Sequence, residues 1–138
     1  MSYIKESRVE NSNELIEKND KITRDWREVF IYAQKIKTSD IHVYQKNNSV
    51  IVKMRQSGEM IVTHMYEDRD LINDYFIKLK RISGFRNDTT SKPQSSGFEL
   101  LITNSRYRAQ ATPMKGIGEK IVYRVIRDGD LIPLNKMG

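Results

Sequence analysis

The sequence predicts an α+β domain of order α-βββ-α-βββ, a mostly antiparallel sheet with helices on one face. Three observations predict it. Two stretches carry apolar residues at every third and fourth position, the period of an amphipathic helix. Several short stretches alternate apolar and polar residues or have the length of a strand. Between them stand Asn, Ser and Gly pairs suited to tight turns. Helices interleaved with runs of short strands point to helices packed on one side of antiparallel sheet.

The elements follow in order. Residues 1–22 mix charges with the scattered apolar positions Ile4, Val9, Leu15 and Ile16, and are expected to form a loose arm or linker with one short helical turn. Ile22, Trp26, Val29, Phe30, Ala33 and Ile36 then fall on one helical face over 23–37, with Thr23 as the expected N-cap. Ile41 and Val43 alternate with His42 and Tyr44, and Asn47-Asn48-Ser49 supplies a turn. Segments 50–56 and 59–65 are the next strands, joined at Ser57-Gly58, where a positive φ is wanted. Leu71, Ile72, Tyr75, Phe76, Leu79 and Ile82 mark a second helix over 68–82; Asp68 and Asp70 at its start and Lys78, Lys80 and Arg81 at its end suit the helix dipole. The polar stretch 83–97 reads as an exposed loop. Strands at 98–102, 106–111 and 119–126 complete the set, with a turn at Asn104-Ser105, and no internal repeat is visible.

Composition narrows the function. A chain of 138 residues with 38% hydrophobic and 30% charged residues fits one folded domain. No apolar run approaches the roughly 20 residues of a membrane helix, so a cytosolic, non-inserted protein is expected. Zero cysteines exclude a disulfide framework, thiolate metal sites and a thiol nucleophile, and two histidines make a poor zinc site, so no metal is expected. Lys and Arg number 24 against 18 Asp and Glu, a net charge of +6, which favours anionic partners. Gly116-Ile117-Gly118-Glu119-Lys120 lacks the spacing and the Ser or Thr of a phosphate loop. With no recommended acid–base pair either, no catalytic residue is assigned, and the chain alone is expected to be inactive.

Five segments stand out in order: Ser39-Asp40-Ile41-His42, Val52-Lys53-Met54-Arg55-Gln56-Ser57-Gly58, Pro93-Gln94, Arg106 through Pro113, and Gly118-Glu119-Lys120-Ile121-Val122-Tyr123-Arg124. Their order and spacing over about 30–127 resemble the secretion ATPase superfamily of type II secretion, type IV pilus assembly and type IV secretion. There the corresponding region reads approximately SDIH, VRxRxDG, PQDGR, RVSTxP and GExxVxR. The sequence departs from that pattern at Arg55-Gln56-Ser57-Gly58, which lacks the acid, and at Pro93-Gln94-Ser95-Ser96-Gly97-Phe98, which lacks the arginine. Thr112-Pro113 to Gly118-Glu119 is one residue longer than usual, and together these mark a divergent branch.

The resemblance implies that 23–127 is the PAS-like N-terminal domain of the ATPase unit and that 128–138 begins a linker to a motor domain. It implies ATP and magnesium in the full-length protein only, with none on this chain. The implied partners are the motors of the same and neighbouring subunits in a homo-hexamer and an inner-membrane platform, with the assembly peripheral to the bacterial inner membrane. It also implies that arginines of this domain reach the nucleotide phosphates: Arg55 and Arg69 first, then Lys53, which stands where the family has arginine. Guanidinium suits that role because its planar donors bind oxygen pairs and stay charged.

A second basic group is Arg106, Arg108 and Arg124 on neighbouring strands, weaker candidates for the same contacts. The alternative is a stand-alone basic module for an acidic protein or nucleic acid. Nucleic acid is disfavoured because Tyr107 and Tyr123 alternate inward, away from the cations. Asp40 and His42 are expected to fix the helix-to-strand corner by hydrogen bonds to nearby backbone, and Met54, Met60 and Met65 to fill the core.

Overall fold

A computed structural model describes residues 11–86, 92–114 and 118–127. The expected linker at 128–138, the first ten residues of the arm, residues 87–91 of the expected loop and Gly116-Ile117 lie outside the described residues. The elements are α1 (Ser12–Ile16), α2 (Lys21–Ile36), β1 (Asp40–Lys46), β2 (Ser49–Gln56), β3 (Glu59–Tyr66), a 3-10 turn (Arg69–Leu71), α3 (Ile72–Ile82), β4 (Gln94–Leu100), a second 3-10 turn (Leu101–Thr103), β5 (Ser105–Met114) and β6 (Gly118–Arg127). The six strands form one sheet in the order β3-β2-β1-β6-β5-β4. Every pairing is antiparallel. The α+β class and the α-βββ-α-βββ order therefore hold, with two three-stranded meanders joined where β1 pairs β6.

Alternation decides which face is covered. Ile41 and Val43, Val50, Val52 and Met54, Tyr107, Ala109 and Ala111, and Ile121, Tyr123 and Val125 are all buried and point to the helices. The α2 helix lies across this face with one fully buried aromatic, Trp26 or Phe30, over each half. Trp26 meets Tyr66 of β3 and Tyr75 of α3 edge-on, at ring separations of 6.1 and 5.8 Å. One turn later Phe30 meets Phe98, Tyr107 and Tyr123 of β4, β5 and β6 at 6.1, 5.1 and 5.6 Å. Burying an aromatic while giving its polar tip a partner is the favourable arrangement. Here Trp26 Nε1 donates to the Tyr75 carbonyl, Tyr107 shares a hydrogen bond with Thr103 Oγ1 and Tyr123 with Ser83 Oγ.

The structure corrects several boundaries. The N-terminal segment is not wholly a loose arm: Asn11 and Glu14 form a reciprocal capping box that starts α1, and Leu15 and Ile16 are buried. Asn13 fastens α1 to the end of β4, its Nδ2 donating to the Glu99 carbonyl and its Oδ1 accepting from the Leu101 amide. The N-cap of α2 is Asp20 rather than Thr23; its carboxylate accepts from both the amide and the hydroxyl of Thr23. The expected loop over 83–97 is shortened because β4 begins at Gln94, whose amide exchanges two hydrogen bonds with the backbone of Arg86. Met54 is core, but Met65 is 48% exposed on β3. A bulge explains the change of face: Val52 pairs with His64 while Lys53 pairs with Val62, so Thr63 is left over.

Candidate functional site

The face of the sheet opposite the helices carries most of the cations singled out above. Register sets them in a row that crosses the sheet. Gly97 of β4 lies opposite Arg108 of β5, Arg108 opposite Arg124 of β6, Arg124 opposite Asp40 of β1, and Arg55 of β2 opposite Met60 of β3. Asp40 closes the row by bonding both arginines beside it. Its Oδ2 accepts from Arg55 Nε at 2.9 Å, and its Oδ1 lies 3.2 Å from Arg124 Nε. Lys53, two residues before Arg55, faces the same way with its ammonium 5.6 Å from the centroid of the Tyr44 ring.

This assigns Asp40 a different role from the expected corner bond. The corner is held by Thr38, whose hydroxyl donates to the Arg55 carbonyl at 2.6 Å and lies 3.0 Å from that of Asp40, and by Arg127, which donates to the carbonyls of Ala33 and Thr38. Asp40 accepts from the Ser39 hydroxyl and otherwise neutralises arginines. Partial burial raises its carboxyl, but the bonds from Ser39 and Arg55 and the charges of Arg124 and Arg55 outweigh this and hold it below its ordinary 3.8. His42, the neighbour on this face, is pushed down by burial and by the charge of Lys120.

A depressed carboxyl contributes stability that is fully present above its unfolded value, about 3.9, and is lost as pH falls through the folded value. The carboxyl carbon of Asp40 should therefore titrate in NMR below the ordinary value, and Asp40→Asn should flatten the acid limb of stability. A midpoint at or above the ordinary value would show that the arginines do not hold this carboxylate.

The six candidate cations do not form one cluster. Arg55 and Arg124 meet at Asp40, Lys53 stands two residues before Arg55 with its ammonium over Tyr44, and Arg108 and Arg106 extend the set along β5. Arg69 is elsewhere. It sits in the 3-10 turn after β3, whereas Arg55 is beside the turn that precedes β3. The eight residues of β3 separate them, a span of about 25 Å. Arg55 and Arg69 therefore cannot grip one phosphate chain together.

Around Arg106, Arg108 and Arg124 the open face forms a shallow depression of about 1220 Å³, open to solvent and bounded also by Gly97, Glu99 and Asp40. Among the described residues, Arg106 and Arg108 make no ion pair. Tyr107 and Tyr123 lie on the other face, 2% and 0% exposed, as the alternation requires.

Reasoning from sequence missed the one buried ion pair among the described residues. Lys80 Nζ of α3 lies 2.9 Å from Glu119 Oε1 of β6, with side-chain exposures of 2% and 7%. In the sequence Lys80 reads only as a cation suiting the dipole at the helix end, but it follows Ile72 and Phe76 at four-residue steps on the inner face. That spacing was the available signal.

Among the described residues no group of His, Asp and Glu is placed to hold a metal ion, and no helix is long and apolar enough to cross a membrane. No protein-family model and no curated protein sequence matches the chain.

Proposed function

We propose that this chain is the PAS-like, non-motor domain of a ring-forming secretion or type IV pilus assembly ATPase. It contributes basic side chains to nucleotide sites and subunit contacts and couples hydrolysis to the secretion or pilus machinery. One observation carries the reading. Three segments of the resemblance, far apart in sequence, meet at one carboxylate: Asp40 of the first holds Arg55 of the second and Arg124 of the last. Glu119, from that last segment, is tied to the helix layer through Lys80. Motif residues thus bridge β2, β1 and β6 on the open face and tie β6 to α3 on the other.

In this reading hydrolysis belongs to the adjoining motor with its own ATP and magnesium. The chain's part is to present Arg55 and Lys53 on the open face of the sheet, on β2, one strand in from its edge. Arg55 is preset by Asp40 and by the Gly58 carbonyl, which fixes its direction before any phosphate arrives. Arg69, about a strand's length away, would serve a different contact.

In the full-length protein, Arg55→Ala should lower turnover by about tenfold or more while the fold is kept, since arginines that meet phosphoryl oxygens are worth about 10³–10⁵ in rate elsewhere. The isolated chain should show no ATPase turnover, because it has no phosphate loop. Assays of assembled full-length rings, with matched thermal melts, decide the matter. Wild-type turnover in the Arg55 variant would remove the phosphate-contact role, and magnesium-dependent hydrolysis by the folded isolated chain would overturn the non-motor assignment.

A further inference from the structure

The row across the open face is unevenly neutralised. Arg55 and Arg124 share Asp40. Arg108 instead faces a like charge, Arg124, on one side and the bare backbone of Gly97 on the other. Two cations directly opposite each other on adjacent strands repel. Arg106 stands opposite Glu99 and Ile126, yet no ion pair forms with Glu99 among the described residues. The depression over β4, β5 and β6 thus holds more guanidinium charge than carboxylate, with Val122 and Ile126 flanking Arg124 along β6 as apolar lining.

We propose that this shallow depression, centred on Arg108, docks an acidic segment of a partner protein. Charge complementarity identifies the occupant: a carboxylate over Arg108 would take the neighbour that Gly97 does not provide and relieve the Arg108–Arg124 repulsion. Guanidinium and carboxylate match as paired donors and acceptors, and such bonds strengthen where water is partly excluded. The surface does not suit single-stranded nucleic acid, which stacks its bases on exposed aromatics; Tyr107 and Tyr123 are turned into the core. The ten residues of β5 span about 33 Å, room for an extended segment of similar length. The surface adjoins the Arg55 contact at Asp40, but its centre, Arg108, is separated from Arg55 by β1 and β6, and Arg108→Gln and Gly97→Glu leave the Arg55–Asp40 pair in place, so the two readings fail separately.

The probe is a fluorescent oligoglutamate peptide of about ten residues, read by anisotropy at about 50 mM salt, where surface charge is only partly screened. A neutral oligoglutamine and an oligothymidylate of equal length serve as comparisons. Arg108→Gln, Gly97→Glu and Lys35→Gln each change the net charge by the same amount. Gly97→Glu places a carboxylate beside Arg108 from within; its Cβ would meet only the Tyr107 carbonyl, at an ordinary 3.8 Å, so the fold should accept it. Lys35 lies on α2, in the helix layer.

Arg108→Gln and Gly97→Glu should each weaken oligoglutamate binding by about tenfold or more, and Lys35→Gln by less than about twofold. Equal losses in all three would reduce the effect to net charge and overturn the proposal. So would tighter binding of the oligothymidylate, or no binding of the acidic peptide by the wild-type chain. If Arg108→Gln fails to fold, Gly97→Glu still decides the question.

Discussion

Lys80→Met should destabilise the fold by about 3–5 kcal/mol, the cost of leaving one member of a buried ion pair without its partner. Lys80 and Glu119 are almost wholly removed from solvent, and only one oxygen of Glu119 is bonded: Oε2 has no hydrogen-bond partner among the described residues. Methionine can occupy the lysine stem's space but offers no donor, so the carboxylate would be stranded between α3 and β6. The double variant Lys80→Met with Glu119→Leu should recover most of the loss, because an apolar pair of similar volume is often as stable as a buried ion pair. Denaturant midpoints of wild type, both singles and the double form a cycle that isolates the coupling. A single variant within about 1 kcal/mol of wild type would mean that water reaches the pair and that the site is looser than its burial indicates.

Trp26→Ala should cost a similar amount, about 3–5 kcal/mol, by emptying the centre of one half of the core. Trp26 is fully buried, touches two tyrosine rings and donates its indole N–H to the Tyr75 carbonyl. Trp26→Phe keeps much of the ring volume and gives up the donor, so its loss should be smaller. Because Trp26 is the single tryptophan, wild-type unfolding can be followed by its fluorescence, whereas the variants need circular dichroism. Equal losses for alanine and phenylalanine would locate the contribution in the hydrogen bond rather than in packing.

The two residues also show what local pattern can reveal. Trp26 was legible as core because its neighbours repeat at helical spacing. Lys80 obeys the same spacing, but its residue type argued for the surface, and only the inward turn of Glu119 on β6 makes its burial favourable. In α1 the periodicity was too short to register, although Asn11 and Glu14 already spelled a capping box before Leu15 and Ile16.

The open face divides in the same way. Alternation showed that Lys53, Arg55, Arg106, Arg108 and Arg124 point away from the core. It could not show that β1 lies between β2 and β6, which is what places Asp40 between Arg55 and Arg124. Strand order depends on pairing between distant segments, which leaves no mark on the local sequence of either.

That pairing also governs how the chain reaches its native state. Within each meander, β1 to β3 and β4 to β6, neighbouring strands follow closely in sequence and can form early as hairpins. The β1–β6 ladder instead closes a loop that contains all four other strands and α3, and that entropy must be lost before the ladder returns any free energy. Until it does, β1 and β6 are both free edges, open to pairing with another molecule. Phe30 meanwhile lacks Tyr107 and Tyr123, so the hydrophobic gain of α2 is only partly realised. Dilute refolding therefore favours the native fold over association, because closure is intramolecular while the competing edge-to-edge encounter rises with concentration.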